Sequence, residues 1–470
     1  MADDRRDAGI PGTPYGTFSL GPVREVVRFV ESCDDYTKEL RFRHQSAVFR
    51  AHPGIDSTFV TDMAGLDFVF DAPPETLDRL EEPGFGGLAF NPEMLGGVIP
   101  ALLRDADDHA PARAVVGRAM GLRCRHFEPA CRKVLHYGIP MLRAAARGQR
   151  VNFQHAMHHA AVGVTFDWLF GLAPGPAGAD AQRWIKACFG LRSDRPLADA
   201  VARAASWAKD RARNGPRARP RAYAAEWMEK IRASAPYQQD FKRVAHELGV
   251  PEAELPAHLM FAASFNATGG AWSTLHPALA QLSVDAVTRE RLAGELAGFT
   301  GSVQELNRLP FFHAFFLESM RLFGRPRHYY RRARAPFTLP VSGGSAVEIA
   351  AGTTLCLVAT VARQDPTVWG NDASVFDPER FLRRPELRAR VRPFGPPPGD
   401  RGRYGCVGAG AADDDAVASG APDDRFAAML WKTLAAPLAR ATDWRLVPWP
   451  EPDVDAFDGV RPSELEWVRG

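Results

Sequence analysis

The feature that most constrains the fold is a long apolar stretch between Leu259 and Leu282, which predicts a helix buried in a large core. The hexapeptide FNATGG (residues 265–270) interrupts this stretch with an amide, a hydroxyl and two adjacent glycines. Each glycine inside a helix costs about 1 kcal/mol relative to alanine, and a buried amide without a partner costs about 1–3 kcal/mol. Such penalties on neighbouring turns predict a functional site rather than packing.

The composition allows a large core and excludes several classes of partner. The chain has 470 residues, of which 46% are hydrophobic and 24% are charged. Its 58 Lys and Arg residues against 56 Asp and Glu residues give a net charge of +2, which does not favour binding to nucleic acid. The N-terminal segment lacks the apolar centre of a signal peptide, and no run is long enough to span a bilayer. We therefore expect a soluble, cytoplasmic protein that makes at most peripheral contact with a membrane.

The hydrophobic pattern predicts a mainly α fold with small β-sheets (α+β) in a single domain spanning residues 1–470. Strand-like runs occur near the N-terminus and return after residue 335 in PFTLPV, SAVEIAAG and TTLCLVATVA, before a last helix, DRFAAMLWKTLAAPLARA. The basic connection 209–221 is predicted to be a solvated loop. The predicted parts are a β-rich N-terminal part (1–100), a helical body (101–335) with the central helix near 259–282, and a C-terminal part (336–470).

One of the six cysteines has surroundings that set it apart. No two cysteines form a CxxC pair, and five are interpreted as buried or incidental thiols. Cys406 lies in the glycine- and arginine-rich sequence RGRYGCVG. The alternative interpretation, an inert structural thiol, requires apolar neighbours that this sequence does not provide.

The order of several short motifs is more specific than any one of them. Glu318 and Arg321 are three residues apart on a predicted helix, which on its own indicates only an ordinary ion pair. Strand-like runs follow, then FDPERF (376–381), a glycine-rich loop with Cys406, and the last helix.

This order resembles the cytochrome P450 superfamily across nearly the whole chain. The resemblance implies a single haem-containing domain with the P450 fold, binding haem b through Cys406 as the axial thiolate and metal ligand. It also implies that Glu318, Arg321 and Arg380, the arginine of the Pro-Glu-Arg-Phe element, form a charged structural cluster behind the haem.

Further residues are assigned to the haem by the same resemblance. His109 and Arg113 fit the helix that hydrogen-bonds the haem propionates, although a solvated helix could carry the same residue pair. Arg331 or Arg332 would add charge-assisted bonds to those carboxylates. The remaining residues expected to contact the haem are Gly269, Gly270, Phe394 and Gly408.

The expected haem loop departs from the family pattern. Phe394 and Cys406 are twelve residues apart instead of the usual seven, Tyr404 stands where a basic residue is expected, and an acidic segment follows. Because monooxygenases present this face to an electron donor, the changes suggest that donor docking is altered or absent. A redox partner is then not required.

The hexapeptide can now be interpreted. Oxygen-activating members carry an acid followed by threonine in this helix, where this chain has Gly269 and Gly270. The stretch instead resembles the FNAFGG of plant allene oxide synthases and hydroperoxide lyases, which use a fatty-acid hydroperoxide and need neither dioxygen nor NADPH. The N-terminal VFR strand and the predicted substrate loop GGLAFNPEMLGG (86–97) also resemble that branch. Thr268 replaces a phenylalanine, so the pocket differs.

The resemblance implies a haem-thiolate lyase or isomerase of oxylipin type that cleaves the O–O bond of a fatty-acid-type hydroperoxide. The product would be an allene oxide, aldehydes or an epoxy alcohol. Asn266 would donate a hydrogen bond to the peroxide oxygen, the alternative being a satisfied core amide. Leu88 falls where dehydrating members carry an aromatic ring, which favours lyase or epoxy alcohol chemistry, although Phe90 is only two residues away.

Three other functions stay open at this point. The chain could be a reductase-dependent monooxygenase that uses Thr268 as a substitute alcohol. It could be a redox-neutral haem enzyme acting on another O–O or N–O substrate in a bacterial biosynthetic pathway. It could also be a haem protein that kept the fold and lost the chemistry.

Overall fold

The structure is a computed structural model, and its described parts form a mostly helical body with four small sheets. The ranges described are 10–12, 21–52, 55–73, 75–78, 84–85, 88–100, 103, 106–123, 126, 129–133, 143–173, 175–191, 200–201, 204, 208, 218–301, 305–324, 327–391, 422–448 and 463–467.

The described α-helices follow the apolar pattern of the sequence, and most bury one side against the core. In chain order they are α1 (Gly21–Glu31), α2 (Cys33–His44), α3 (Met63–Asp71), α4 (Ala106–Arg123), α5 (Phe153–Phe170), α6 (Gly178–Ala187), α7 (Ala218–Ala233), α8 (Lys242–Glu247), α9 (Leu255–Phe261), α10 (Gly270–Val284), α11 (Ala286–Glu295), α12 (Glu305–Arg308), α13 (Pro310–Phe323), α14 (Ala359–Ala362), α15 (Pro366–Trp369), α16 (Arg380–Arg383), α17 (Arg388–Val391) and α18 (Pro422–Arg440). Short 3₁₀ turns cover Pro92–Leu95 and Pro385–Leu387, and π-helical segments cover Tyr237–Phe241 and Ala262–Gly269.

The strands form one larger sheet and three small ones. The five-stranded sheet has the order β1 (Val48–Ala51), β2 (Ser57–Val60), β10 (Thr354–Val358), β7 (His328–Ala333) and β3 (Leu77–Asp78). The small sheets pair β4 (Gly84–Phe85), β5 (Leu88–Phe90) and β6 (Phe189–Leu191); β8 (Phe337–Val341) and β9 (Ser345–Ile349); and β11 (Trp444–Pro448) and β12 (Ser463–Trp467).

The two faces of the five-stranded sheet bury different clusters. On one face, Tyr330 and Cys356 pack with Phe29 of α1 and Tyr36 of α2. On the other face, residues such as Leu355 join the main core that runs through the helical body. Because side chains alternate along a strand, every second residue of β7 faces the body.

The structure confirms the predicted mainly α fold with small sheets, including the strands after residue 335 and the last helix. Of the cysteines predicted to be buried thiols, the four that the structure describes are buried: Cys33, Cys131, Cys188 and Cys356. Cys124 lies outside the described residues.

Two local features differ from the predicted pattern. β7 begins at His328, within the residues predicted as the helical body, and pairs with β10 of the larger sheet. The basic stretch is not a loop over 218–221, which form the first turn of α7, while 209–217 lie outside the described residues. Arginine is a good helix former and Pro220 is tolerated in a first turn, so the composition misled the prediction.

Candidate functional site

The predicted buried helix is continuous over residues 255–284 but changes geometry at the hexapeptide. α9 leads into the π-helical segment Ala262–Gly269, and α10 starts at Gly270. π-helical segments are rare in proteins, and those that occur are often at functional sites. Their wider turn moves side chains away from the positions that an α-helix would give them. The two glycines therefore lie where the helix returns to α geometry, rather than inside a regular α-helix.

The surroundings of this central helix are closely packed. Ala263 and Ser264 are fully buried, and α10 packs against α13 and α18. α4, which carries His109 and Arg113, packs against α9, the helix that runs into the π-helical segment. His109 and Arg113 are four residues apart on α4 and so lie on the same side of it.

A buried cluster of charged residues joins α13 to the segment that carries the Pro-Glu-Arg-Phe element. Glu318 and Arg321 form a two-bond ion pair, with 2.7 Å for both Nε–Oε2 and Nη2–Oε1, and both side chains are completely buried. Arg380 Nε is 3.6 Å from Glu318 Oε1, and Arg380 is 2% exposed. The structure thus brings together the three residues that the sequence predicts as a charged cluster.

The cluster holds the chain between α14 and α16 in place through backbone contacts. Arg321 donates to the carbonyl oxygens of Arg363 (2.9 Å), Ala373 (2.5 Å) and Val375 (3.1 Å). Glu318 accepts a bond from the Asp377 backbone N–H at 2.8 Å.

Arg380 is held in turn by Asp372 and Trp369. Its guanidinium donates to the Asp372 carboxylate at 3.0 and 3.1 Å and to the Trp369 carbonyl at 2.8 Å. Hydrogen bonding from Arg380 lowers the pKa of the Asp372 carboxyl below its usual value. The charged cluster thus anchors the segment that precedes, in sequence, the region carrying Cys406.

The structure separates the two arginines that the sequence left as alternatives. Arg331 lies opposite Leu355 in the β7–β10 pairing, and Leu355 belongs to the main core. Arg332 lies on the same face as Tyr330, towards α1 and α2. Arg331 is only 9% exposed, so it is a buried guanidinium directed to the helical body.

An aromatic cluster that the sequence did not reveal lies at the start of the π-helical segment. Phe90 of β5 is opposite Phe189 of β6, with ring centroids 5.7 Å apart. Phe90 also contacts Phe261 at 5.9 Å, Phe189 contacts Phe265 at 5.3 Å, and Phe261 stacks on Phe265 at 4.9 Å. The available signal was the alternation in LAF and FGL, but two strands of three residues are too short for periodicity to predict them.

Several predicted site residues have a described backbone position but side chains outside the described part. Asn266, Thr268 and Gly269 lie in the π-helical segment, Gly270 begins α10, and Leu88 begins β5. The others with side chains outside the described part are His109 and Arg113 on α4. Phe394, Cys406 and Gly408 lie outside the described residues altogether.

The structure contains two features on which the resemblance to haem-thiolate proteins rests. One is the central helix distorted at the hexapeptide, and the other is the buried Glu-x-x-Arg pair that contacts the arginine of the Pro-Glu-Arg-Phe element. The family model that matches the chain, over residues 253–413, is that of cytochrome P450. This match covers the central helix, the charged cluster and Cys406.

Similar proteins extend the match over most of the chain. An epoxyalcohol synthase of Ectocarpus siliculosus is 25% identical over 427 residues, covering 88% of this chain and 88% of that protein. A mitochondrial hydroperoxide bicyclase of the same organism is 25% identical over 412 residues (84% and 80%), and one of Plasmodiophora brassicae is 26% identical over 371 residues (77% and 66%). The family match and these relatives support a cytochrome P450 domain in this chain.

The match to the cytochrome P450 family implies a haem cofactor with a cysteine thiolate ligand. The described residues fit such a group. Arg331 is only 9% exposed, and a buried guanidinium is suited to a carboxylate-bearing cofactor. Among the helices that the structure describes, none combines the length and the apolar character needed to cross a bilayer.

Proposed function

We propose that this protein isomerises a polyunsaturated fatty-acid hydroperoxide, with an epoxy alcohol as the main product, and that it needs neither dioxygen nor NADPH. The observation that carries the proposal is FNATGG in the π-helical segment of the central helix, with glycines where an oxygen-activating enzyme needs an acid and an alcohol. The names of the relatives, an epoxyalcohol synthase and two hydroperoxide bicyclases, support it.

The cofactor in this proposal is haem b, held by Cys406 as the thiolate ligand. Arg331 would bind a propionate, together with His109 and Arg113 from α4. Phe394, Gly408, Gly269 and Gly270 would line the haem. When bound, the haem would supply one-electron cleavage of the substrate O–O bond.

The protein residues then have to hold the substrate and limit its reaction to one outcome. The Asn266 amide would donate a hydrogen bond to the peroxide oxygen, and such a donor in a site without water is worth roughly 3 kcal/mol of barrier. Glycines at 269 and 270 would leave space for the peroxide beside the helix. Thr268 would shape the pocket where the plant-type hexapeptide carries a phenylalanine.

The choice among products depends on the residues that face the substrate after cleavage. Leu88 and Phe90 both belong to β5, and Phe90 contacts the central helix through Phe261. Because leucine cannot stabilise a carbon cation as an aromatic ring does, Leu88 would disfavour dehydration to an allene oxide. Return of the hydroxyl to the substrate then gives an epoxy alcohol that keeps all the atoms of the hydroperoxide.

The same proposal covers partners and location. An isomerisation has no net electron demand, so no redox partner is required, and the substrate is a small lipid. We propose a cytoplasmic enzyme with at most peripheral membrane contact; its relatives in two organisms are named as mitochondrial, which makes the compartment worth testing directly by fractionation.

The test is to incubate the haem-loaded enzyme with linoleate hydroperoxide in which both peroxide oxygens are ¹⁸O, without reductant. We expect rapid loss of the conjugated-diene absorbance and an epoxy alcohol that retains both labels. Label loss to water, or turnover that starts only with NADPH, a ferredoxin pair and dioxygen, would identify a monooxygenase instead. Haem binding with no turnover of any peroxide would indicate a protein without this chemistry.

The role of Asn266 needs a separate variant. Asn266→Ala should lower kcat about 100-fold with a small change in KM, because the lost hydrogen bond acts on the reacting oxygen. Asn266→Gln should recover part of the rate. Asn152→Ala, which removes the capping bond to the His155 backbone at 3.0 Å on α5, is the control for a general effect of deleting an amide. An Asn266→Ala enzyme with full turnover would show that the amide is structural.

A further inference from the structure

The strand β6 gives the substrate loop a partner from a distant part of the chain. β5 and β6 pair antiparallel, with Phe90 opposite Phe189, and the Asn91 backbone N–H donates to the Cys188 carbonyl at 2.7 Å beyond the paired strands. Residues directly opposite in an antiparallel pair project from the same face. The aromatic side chains of Phe90 and Phe189 therefore lie together on the face of this sheet that rests on the central helix.

The aromatic cluster consists of the rings of Phe90, Phe189, Phe261 and Phe265, each of which contacts two of the others. Two of the rings are buried and two are half-buried. Phe90 and Phe261 are buried, at 7% and 1% exposure. Phe189 and Phe265 are half-buried, and their rings meet at 5.3 Å with planes 38° apart. Phe265 directly precedes Asn266. The half-buried part of the cluster thus includes the residue that directly precedes Asn266 in the central helix.

We infer that Phe189 and Phe265 form an apolar wall for the hydrocarbon chain of the substrate, and that Phe189 is a specificity-determining residue. This inference rests on the proposed function, since it takes a long-chain fatty acid as the ligand. Binding pockets for apolar ligands are lined mainly by apolar and aromatic side chains, with few polar groups to fix orientation. Here the polar group would be Asn266, and the wall begins at the residue before it.

The position of Phe189 explains why it, rather than Phe90 or Phe261, would set the specificity. Phe90 and Phe261 are covered by protein, so changing them would disturb the core. Phe189 begins the short strand β6 that follows α6, and its side chain is half-buried. The Phe189 side chain can therefore be made smaller or larger without leaving a cavity in the core. Such a change would alter the space available to the hydrocarbon chain of the substrate.

The experiment measures binding of unreactive hydroxy fatty acids with 14 and 18 carbons to the haem-loaded enzyme by isothermal titration calorimetry. Phe189→Ala should weaken binding of the 18-carbon ligand about tenfold, the effect of losing one aromatic contact. Phe189→Trp should occupy part of the pocket beside the wall and shift the binding preference towards the 14-carbon ligand. Phe68→Ala is the control, because Phe68 is also half-buried and stacks on one phenylalanine, Phe337, at 5.5 Å.

The outcomes separate this inference from the proposed function. The inference would be overturned if both Phe189 variants kept the Kd values and the chain-length preference of the unchanged enzyme, as Phe68→Ala should. This holds even if the enzyme isomerises hydroperoxides. If Phe189→Ala does not fold, Phe189→Trp decides through the chain-length preference. Phe189-dependent binding of the hydroxy acids without any turnover of hydroperoxides would support the wall and reject the proposed reaction.

Discussion

Replacing Glu318 by glutamine should destabilise the protein by about 3–5 kcal/mol, because it removes the carboxylate that neutralises the completely buried Arg321 guanidinium. The carboxylate accepts three close hydrogen bonds, two from Arg321 and one from the Asp377 backbone N–H. A glutamine has one acceptor oxygen and an N–H group in place of the other oxygen, so at least one Arg321 donor loses its acceptor. Each lost bond to a charged group costs about 1.5–3 kcal/mol, and the uncompensated Arg321 charge raises the cost towards the figure for breaking a buried ion pair.

The chain contains a matched control for this substitution. Glu229 and Arg232 on α7 have the same Glu-x-x-Arg spacing and also form an ion pair, but their side chains are 68% and 38% exposed. Surface pairs of this kind contribute about 0–1 kcal/mol. Glu229→Gln should therefore change the stability by less than about 1 kcal/mol.

Urea denaturation followed by tryptophan fluorescence measures both variants. Trp369 is a suitable reporter, because the Arg321 guanidinium lies 5.1 Å from the centre of its ring. We also expect Glu318→Gln to retain less haem, since the cluster fixes the chain that leads to Cys406. Equal denaturation midpoints for the Glu318 and Glu229 variants would refute the reasoning from burial.

Two further predictions concern pH and haem retention. Burial lowers the pKa of His158, His276 and His313 to about 3, about 4 and about 3, so below pH 6.5 the unfolded chain binds more protons than the folded protein. Stability should fall by about 4 kcal/mol between pH 7.5 and 5.5, roughly 1.3 kcal/mol for each histidine, and a flat urea midpoint over this range would contradict it. Arg331→Gln should speed the transfer of haem to apomyoglobin about tenfold, whereas Arg332→Gln should not, and equal rates would show that the strand face does not decide the contact.

Much of the fold could be predicted from local patterns. The helix around residues 259–282, the strands after residue 335 and the last helix follow from apolar periodicity, which each segment carries within itself. The sequence also predicted a functional site at FNATGG, because glycines and an amide destabilise a buried helix in any fold. The π geometry was not, since it depends on how the helix packs rather than on propensity.

The remaining features required the tertiary structure, because they depend on which surfaces meet. Glu318 and Glu229 belong to identical Glu-x-x-Arg patterns, and only burial distinguishes the structural pair from the solvated one. Arg331 and Arg332 are adjacent in sequence, but the pairing of β7 with β10 directs only Arg331 to the helical body. Phe189 lies about a hundred residues from Phe90, and a hydrogen-bonded register between two very short strands brings the rings together. Local sequence sets which elements form, whereas long-range pairing and burial decide which side chains share a site.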